Sequence, residues 1–174
     1  MNFNIEQATE ILSRTPAILN SLMRGISDDW THKNEGGDSW SPFDVLGHMV
    51  HGEESDWIAR TKIILDHGTV RPFDPFDRTA MFEKFKGRST DELLDMFDSL
   101  RKKNIEELQS LNITPDKLAL QGTHPALGEV TLGQLLATWT VHDLSHIAQI
   151  TRVMCRQYTA AVGPWAEFLP ILKR

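Results

Sequence analysis

The chain has 174 residues, 40% of them hydrophobic and 24% charged, with a net charge of −6. This length suits one domain over residues 1–174, and the acidic balance argues against nucleic acid as a partner, because phosphate binding calls for a basic surface. No apolar run approaches 18 residues, which argues against a membrane-spanning helix, and a lone Cys155 with no basic, apolar leader points to a reducing cytoplasm.

Ala8, Ile11, Leu12, Ile18, Leu19 and Leu22 recur at helical spacing and predict a first helix over residues 5–24. Pro16 is expected to kink it or end its first part, and Gly25 to stop it. Residues 26–40 read as a loop anchored on the body of the protein by Trp30 and Trp40. Ser41 as N-cap, Pro42 in the first turn and Asp44 against the helix dipole open a second helix. It continues through Val45, Leu46, His48, Met49, His51, Glu53, Trp57 and Ile64 to a stop at Gly68. The stretch Arg71-Pro72-Phe73-Asp74-Pro75-Phe76-Asp77 then forms a long irregular connection, either a lid or a segment pinned to the core by its phenylalanines.

A third helix begins after Ser89-Thr90-Asp91-Glu92, with Leu93, Leu94, Phe97, Leu100, Ile105 and Leu108 on its apolar face. Arg101-Lys102-Lys103 and Glu106-Glu107 read as its solvated face. Residues 112–130 read as a loop, the fourth helix runs over about residues 132–158, and a short last helix follows Pro164. No β-alternation extends beyond three or four residues. Four helices with long irregular connections predict an all-α four-helix bundle.

The chemistry concentrates in Thr138-Trp139-Thr140-Val141-His142-Asp143-Leu144-Ser145-His146-Ile147-Ala148-Gln149. His142 and His146 stand one helical turn apart on one face, and imidazoles so placed can close on one metal ion. Their stripe also carries Leu135, Trp139, Gln149 and Val153, so it faces inward. A polar ring there needs a partner: a metal, another side chain or water. His48 lies in the second helix on a face with Gly52, Ser55 and Ala59, small residues that leave room. Three histidines with an open fourth position make the pattern of a catalytic metal site. His51 competes with His48 for that role. Glu53 and Glu54 are weaker candidates. Asp143 reads as a salt-bridge or dimer-surface residue, His124 as a loop residue near the bundle mouth, and Cys155 as a small packed hydrophobe. The Glu-x-x-His of di-iron bundles is absent, and the pair reads His-Asp-Leu-Ser-His rather than His-Glu-x-x-His. Gly-x-Ser-x-Gly, P-loop and dinucleotide fingerprints are absent too.

Trp40-Ser41-Pro42-Phe43-Asp44-Val45-Leu46-Gly47-His48-Met49-Val50-His51-Gly52-Glu53 is followed by Thr131-Leu132-Gly133-Gln134-Leu135-Leu136-Ala137-Thr138-Trp139 and then by the histidine pair through Ile150. In this combination and spacing the chain resembles the DinB/YfiT-like superfamily of metal-dependent enzymes, from the first helix to about Tyr158. The resemblance implies an up-down-down-up helix order, whose crossover segment 68–88 would supply. It implies a divalent metal, zinc or nickel, on the histidines matching His48, His142 and His146. It also implies a homodimer and a transferase or hydrolase acting on a small-molecule substrate. Characterised relatives use low-molecular-weight thiols such as bacillithiol or mycothiol, which makes a thiol S-transferase the specific expectation. A non-enzymatic metal-binding or stress-response bundle without thiol chemistry is the alternative, and a metal-free core of hydrogen-bonded histidines is a third.

Overall fold

Helix starts are written in side chains that satisfy the first free backbone N–H groups. In the computed structural model, which describes residues 3–173, helix α1 (Ile5–Met23) begins where the Asn4 side chain accepts from the Gln7 N–H at 2.9 Å. A short α2 (Asp28–Thr31) leads through a loop to α3 (Pro42–Ser55), which is continued past Asp56 by α4 (Trp57–His67). The next connection holds a short α5 (Ala80–Lys84) and ends at α6 (Thr90–Ser110). A single turn, α7 (Pro115–Leu118), precedes an antiparallel hairpin of β1 (Gln121–His124) and β2 (Gly128–Thr131). The chain then enters α8 (Leu132–Arg156) and closes with two 3-10 segments, Gly163–Phe168 and Pro170–Lys173. Three of the long helices open with reciprocal capping boxes: Ser41 with Asp44, Ser89 with Glu92, and Thr131 with Gln134.

The direction of each helix follows from which end of it enters which core cluster. One cluster joins the end of α1 (Leu19, Met23), the start of α3 (Val45, Leu46, Met49), the start of α6 (Leu93, Leu94, Phe97) and the end of α8 (Ile150). The other joins Leu12 of α1, Trp57, Ile58, Ile63 and Ile64 of α4, Leu108 near the end of α6, and Leu132, Leu135, Leu136 and Trp139 of α8. Relative to α1, the α3–α4 pair and α6 therefore run down and α8 runs up. This is the up-down-down-up bundle that the resemblance implies. Because α4 and α6 both run down, the chain between them must travel back along the bundle, which accounts for the length of the connection after Gly68.

Several sequence expectations change. Pro16 neither breaks nor ends α1. Proline has no N–H to give the carbonyl four residues back; the Leu12 carbonyl accepts instead from Arg101 Nη1 at 2.9 Å. The second predicted helix divides at Asp56, a turn residue with φ −111° and ψ −77° between α3 and α4. Residues 112–130 are not a plain loop: they contain α7 and the hairpin, whose strands are too short to show alternation. The last segment is 3-10 rather than α-helix. Gly122 is buried in β1, where a Cβ would come within 2.6 Å of Ile64 and 2.9 Å of Phe73. The Phe73 N–H donates to the Thr123 carbonyl at 2.9 Å, so hairpin and crossover segment are tied together.

Candidate metal centre

The start of α3 and the middle of α8 face each other across the bundle, and each presents imidazole to the other. His48 Nε2 lies 3.1 Å from His142 Nε2, and His146 Nε2 lies 3.0 Å from the same atom. One nitrogen from each ring falls within a sphere where all lie within 4.8 Å of one another. A tetrahedral cation with bonds of about 2.0–2.1 Å holds its nitrogens about 3.3–3.4 Å apart, so this spacing is close to a ligand set. Of the three histidines singled out from the sequence, all meet here. His51 does not: it stacks on Phe76 at 4.8 Å and lies 3.8 Å from the Glu54 carboxylate.

His146 suits a metal in tautomer as well as position. His146 Nδ1 is 2.8 Å from Gln149 Oε1, a carbonyl oxygen that accepts; the Nδ1–H donor leaves Nε2 as a lone pair. His48 Nδ1 and His142 Nδ1 are buried without a hydrogen-bond partner among the described residues. A ring with its proton on Nδ1 aims a lone pair into the centre; three such lone pairs repel unless a cation lies between them. Burial keeps the rings neutral. It draws His48 down to about 3, helped by His146, Arg78 and His51. It draws His142 down to about 2, helped by His146 and His48. Burial lowers His146 as well, against the opposing pull of Gln149 and Asp143. Neutral imidazole is the form that ligates.

A cavity of about 400 Å³ opens beside the rings. Its walls include Trp57, Phe73, Phe76, Leu135 and His124, with Asp56, Arg60 and Arg78 as its acidic and basic groups. Just past Asp56, Trp57 is stacked on Trp139 at 5.8 Å and edge-on to His142 at 5.0 Å. Trp57 also covers Gly52, and Ser55 and Ala59 are exposed, so the room expected beside His48 from those small residues is not where they lie. The space comes from the crossover segment, whose Phe76 stands edge-on to His48 at 5.5 Å. Phe73 is buried and, with Phe76 and Arg78, borders the cavity, so this segment is both pinned and part of the site. His124 reaches the cavity, as expected near the mouth; its Nδ1 accepts from the N–H groups of Ala126 and Leu127. Trp40 packs 5.1 Å from His48, and Trp30 edge-on to Tyr158 at 4.8 Å.

Behind the histidines lies a buried charge network that the sequence reading missed. Arg101 was placed on a solvated face; it is 1% exposed in the middle of the bundle. Its Nη1 and Nη2 donate to both oxygens of Asp143 at 2.5 and 3.0 Å. Nη2 also donates to Glu53 Oε1 at 2.8 Å, which accepts from Trp139 Nε1 at 2.9 Å. Asn104 Nδ2 donates to Glu53 Oε2 at 3.0 Å and to the Glu53 carbonyl at 2.7 Å. Burial opposes the guanidinium charge, but the carboxylates of Glu53 and Asp143 outweigh it and hold the proton far above the ordinary arginine range. Asp143 is therefore a salt-bridge residue, as read, and not a surface one. The signal was present: Leu94, Phe97, Arg101, Asn104 and Leu108 recur at three and four residues, which puts Arg101 on the apolar stripe. Cys155 is exposed rather than packed.

No curated protein matches the chain. Among solved structures it is similar to YfiT from Bacillus subtilis, described as a probable metal-dependent hydrolase with an unusual four-helix bundle topology. The TM-score is 0.76 at 22% identity, covering 88% of this chain and 87% of that one. It is also similar to TT2238, a four-helix bundle protein, with TM-score 0.57 at 20% identity over 85% of this chain and 98% of the other. The model of the DinB superfamily matches residues 11–150, from α1 through both histidine-bearing helices, and the chain belongs to that superfamily.

Proposed function

We propose that His48, His142 and His146 hold one divalent metal ion through Nε2 and that the adjoining cavity is the substrate site of a metal-dependent enzyme. The observation that carries this reading is the convergence of three neutral Nε2 atoms, from buried and half-buried rings, at the wall of a cavity of about 400 Å³. The description of YfiT as a probable metal-dependent hydrolase supports it at the level of reaction type. When bound, such an ion supplies a Lewis acid that makes a thiolate or hydroxide available at neutral pH.

The protein's own groups do the rest. Gln149 fixes the His146 tautomer, so that its ring offers a lone pair rather than a proton. Trp57 and Phe76 pack against His142 and His48 and keep bulk water from the ring edges. The Arg101 network behind α8 fixes the rotation of the helix that carries two of the rings. The finer proposal is thiol transfer: a low-molecular-weight thiol is the nucleophile, the electrophile is a small molecule in the cavity, and the enzyme works in the reducing cytoplasm. Hydrolysis is the second reading, favoured by the YfiT description, with water in place of the thiol.

Elemental analysis of protein expressed in zinc- and nickel-supplemented medium tests the metal. About one ion per chain is expected. Metal-free protein that regains no ion on titration would falsify the proposal. A panel of electrophiles and esters, assayed with and without low-molecular-weight thiols, then separates the reactions. A rate that needs both metal and thiol supports transfer, and one that needs metal alone supports hydrolysis. Metal without either rate would leave a non-enzymatic metal-binding bundle.

A further inference from the structure

Among the described residues, the cavity beside the histidines carries a guanidinium with no carboxylate in ion-pair range, in a protein whose net charge is −6. Two guanidiniums border it. Arg60 is committed: its Nε lies 2.6 Å from Asp56 Oδ1, with both side chains largely buried, and its guanidinium lies 5.2 Å from the Phe73 ring centre. Arg78 is not. Among the described residues no carboxylate lies within ion-pair distance of it, and its guanidinium rests against the face of Trp40 at 5.9 Å. Trp40 in turn packs 5.1 Å from His48, so the arginine is held on the side of the cavity where the histidines are.

Arg78 also borders a smaller groove of about 250 Å³, shared with His146 and Gln149. Two acids line that groove. Glu35 is taken by Arg152 at 2.8 Å and Arg156 at 3.2 Å, and Asp38 stands beyond ion-pair range of Arg78. The neighbouring Asp77 carboxylate is occupied by the backbone N–H and hydroxyl of Thr79 at 2.8 and 2.7 Å. A surface arginine ordinarily has only water around it. Arg78 is exposed too, but it borders both the cavity and the groove beside His146 and Gln149. The site therefore favours negative charge in whatever enters.

We propose that the ligand of this cavity carries an anionic oxygen group, a carboxylate or a phosphate, and that Arg78 is its receptor while Trp57, Phe73 and Phe76 hold an apolar or aromatic body. A guanidinium matches either anion with two parallel N–H donors, and the Trp40 face restricts how it can turn. The proposal rests on the reading of this cavity as the substrate site and names the charge of what it takes.

Calorimetric titration with benzoate, phenyl phosphate and the neutral benzamide tests it, on metal-loaded protein and on protein stripped with a chelator. One saturable anion site per chain is expected, with benzamide at least about tenfold weaker. Arg78→Gln is expected to weaken the better of the two anions by about tenfold, leave benzamide unchanged and leave metal content unchanged. Comparison of benzoate with phenyl phosphate tells which anion is preferred. The same loss on Arg78→Gln must appear in the stripped protein. An anion preference that survives Arg78→Gln, or that vanishes on stripping, belongs to the metal and overturns the proposal, as does equal binding of anion and amide. Chains that take up no metal yet show the Arg78-dependent preference would sink the enzyme reading and leave this one standing.

Discussion

At His142 two helices meet through single atoms: its Nε2 is within 3.1 Å of His48 and 3.0 Å of His146. Removing any one ring leaves two ligands, too few for a tight divalent site. His48→Ala, His142→Ala and His146→Ala should each lose the ion by elemental analysis, whereas His51→Gln should retain it. An unchanged metal content in all three alanine variants would show that the cluster is not the metal site. Asp56 offers a second check, through pH. Burial, reinforced by the Glu53 charge and opposed by Arg60, holds its carboxyl up at about 6 against an ordinary 3.8. Between those values the folded chain binds a proton that the unfolded chain has released. Its contribution to stability is therefore lost as pH rises from about 4 to 6. Asp56→Asn should be more favourable relative to the native chain at pH 7 than at pH 4, by at most about 3 kcal/mol. Urea midpoints that shift equally with pH in both proteins would rule out a raised Asp56.

Among the elements, α6 shows how a charge run misleads. Arg101-Lys102-Lys103 looks solvated as a string, yet helical geometry separates its members: Arg101 is buried while Lys102 and Lys103 are exposed. Arg101 compensates Glu53 of α3 and Asp143 of α8 and also caps the carbonyl that Pro16 leaves free in α1. It thus ties four helices at one point. Arg101→Met should cost about 3–5 kcal/mol, because it strands two buried carboxylates, and replacing both acids by their amides in the same chain should recover part of that. Chemical denaturation measures both, and a loss under 1 kcal/mol for Arg101→Met would mean the network adds little. The hairpin makes a second element-level case. A Cβ on Gly122 would meet Ile64 at 2.6 Å and Phe73 at 2.9 Å, so Gly122→Ala should destabilise by about 1–3 kcal/mol through overpacking. Thermal unfolding at an unchanged midpoint would show that β1 yields freely.

For the molecule as a whole, the two downward helices dictate the crossover, and the crossover supplies Phe73, Phe76 and Arg78 to the cavity. Topology and site are thus linked: an up-down-up-down bundle with short turns would have no such segment over His48. No helix among the described residues is long and apolar enough to cross a membrane. On α8, Val141 and Leu144 are 63% and 47% exposed, leaving apolar side chains on the outside of the helix whose inner face carries the histidines. Such a face fits the homodimer that the family resemblance implies. Sedimentation should give twice the chain mass, and Val141→Glu with Leu144→Glu should return it to one. A monomer at tens of micromolar native protein would count against the dimer.

Sequence by itself determined the starts of the long helices and named the histidines of the metal candidate. Caps at Asn4, Ser41, Ser89 and Thr131 are local chemistry, satisfied within four residues, and they mark the helix starts without any knowledge of the fold. The His142–His146 pair is local too, because one turn of helix fixes its geometry. His48 is 94 residues from His142, and no spacing rule connects them; the sequence offered it with His51 as a rival, and its contact with the pair came from the folded chain. Tertiary structure alone decided the rest. It set the helix division at Asp56, the Leu12 carbonyl that finds Arg101, the hairpin against Ile64 and Phe73, and the place of Arg78 at the cavity. Each depends on what another segment brings alongside. Burial turns a charge from solvated to compensated, or from neutralised to available, only after the helices have packed.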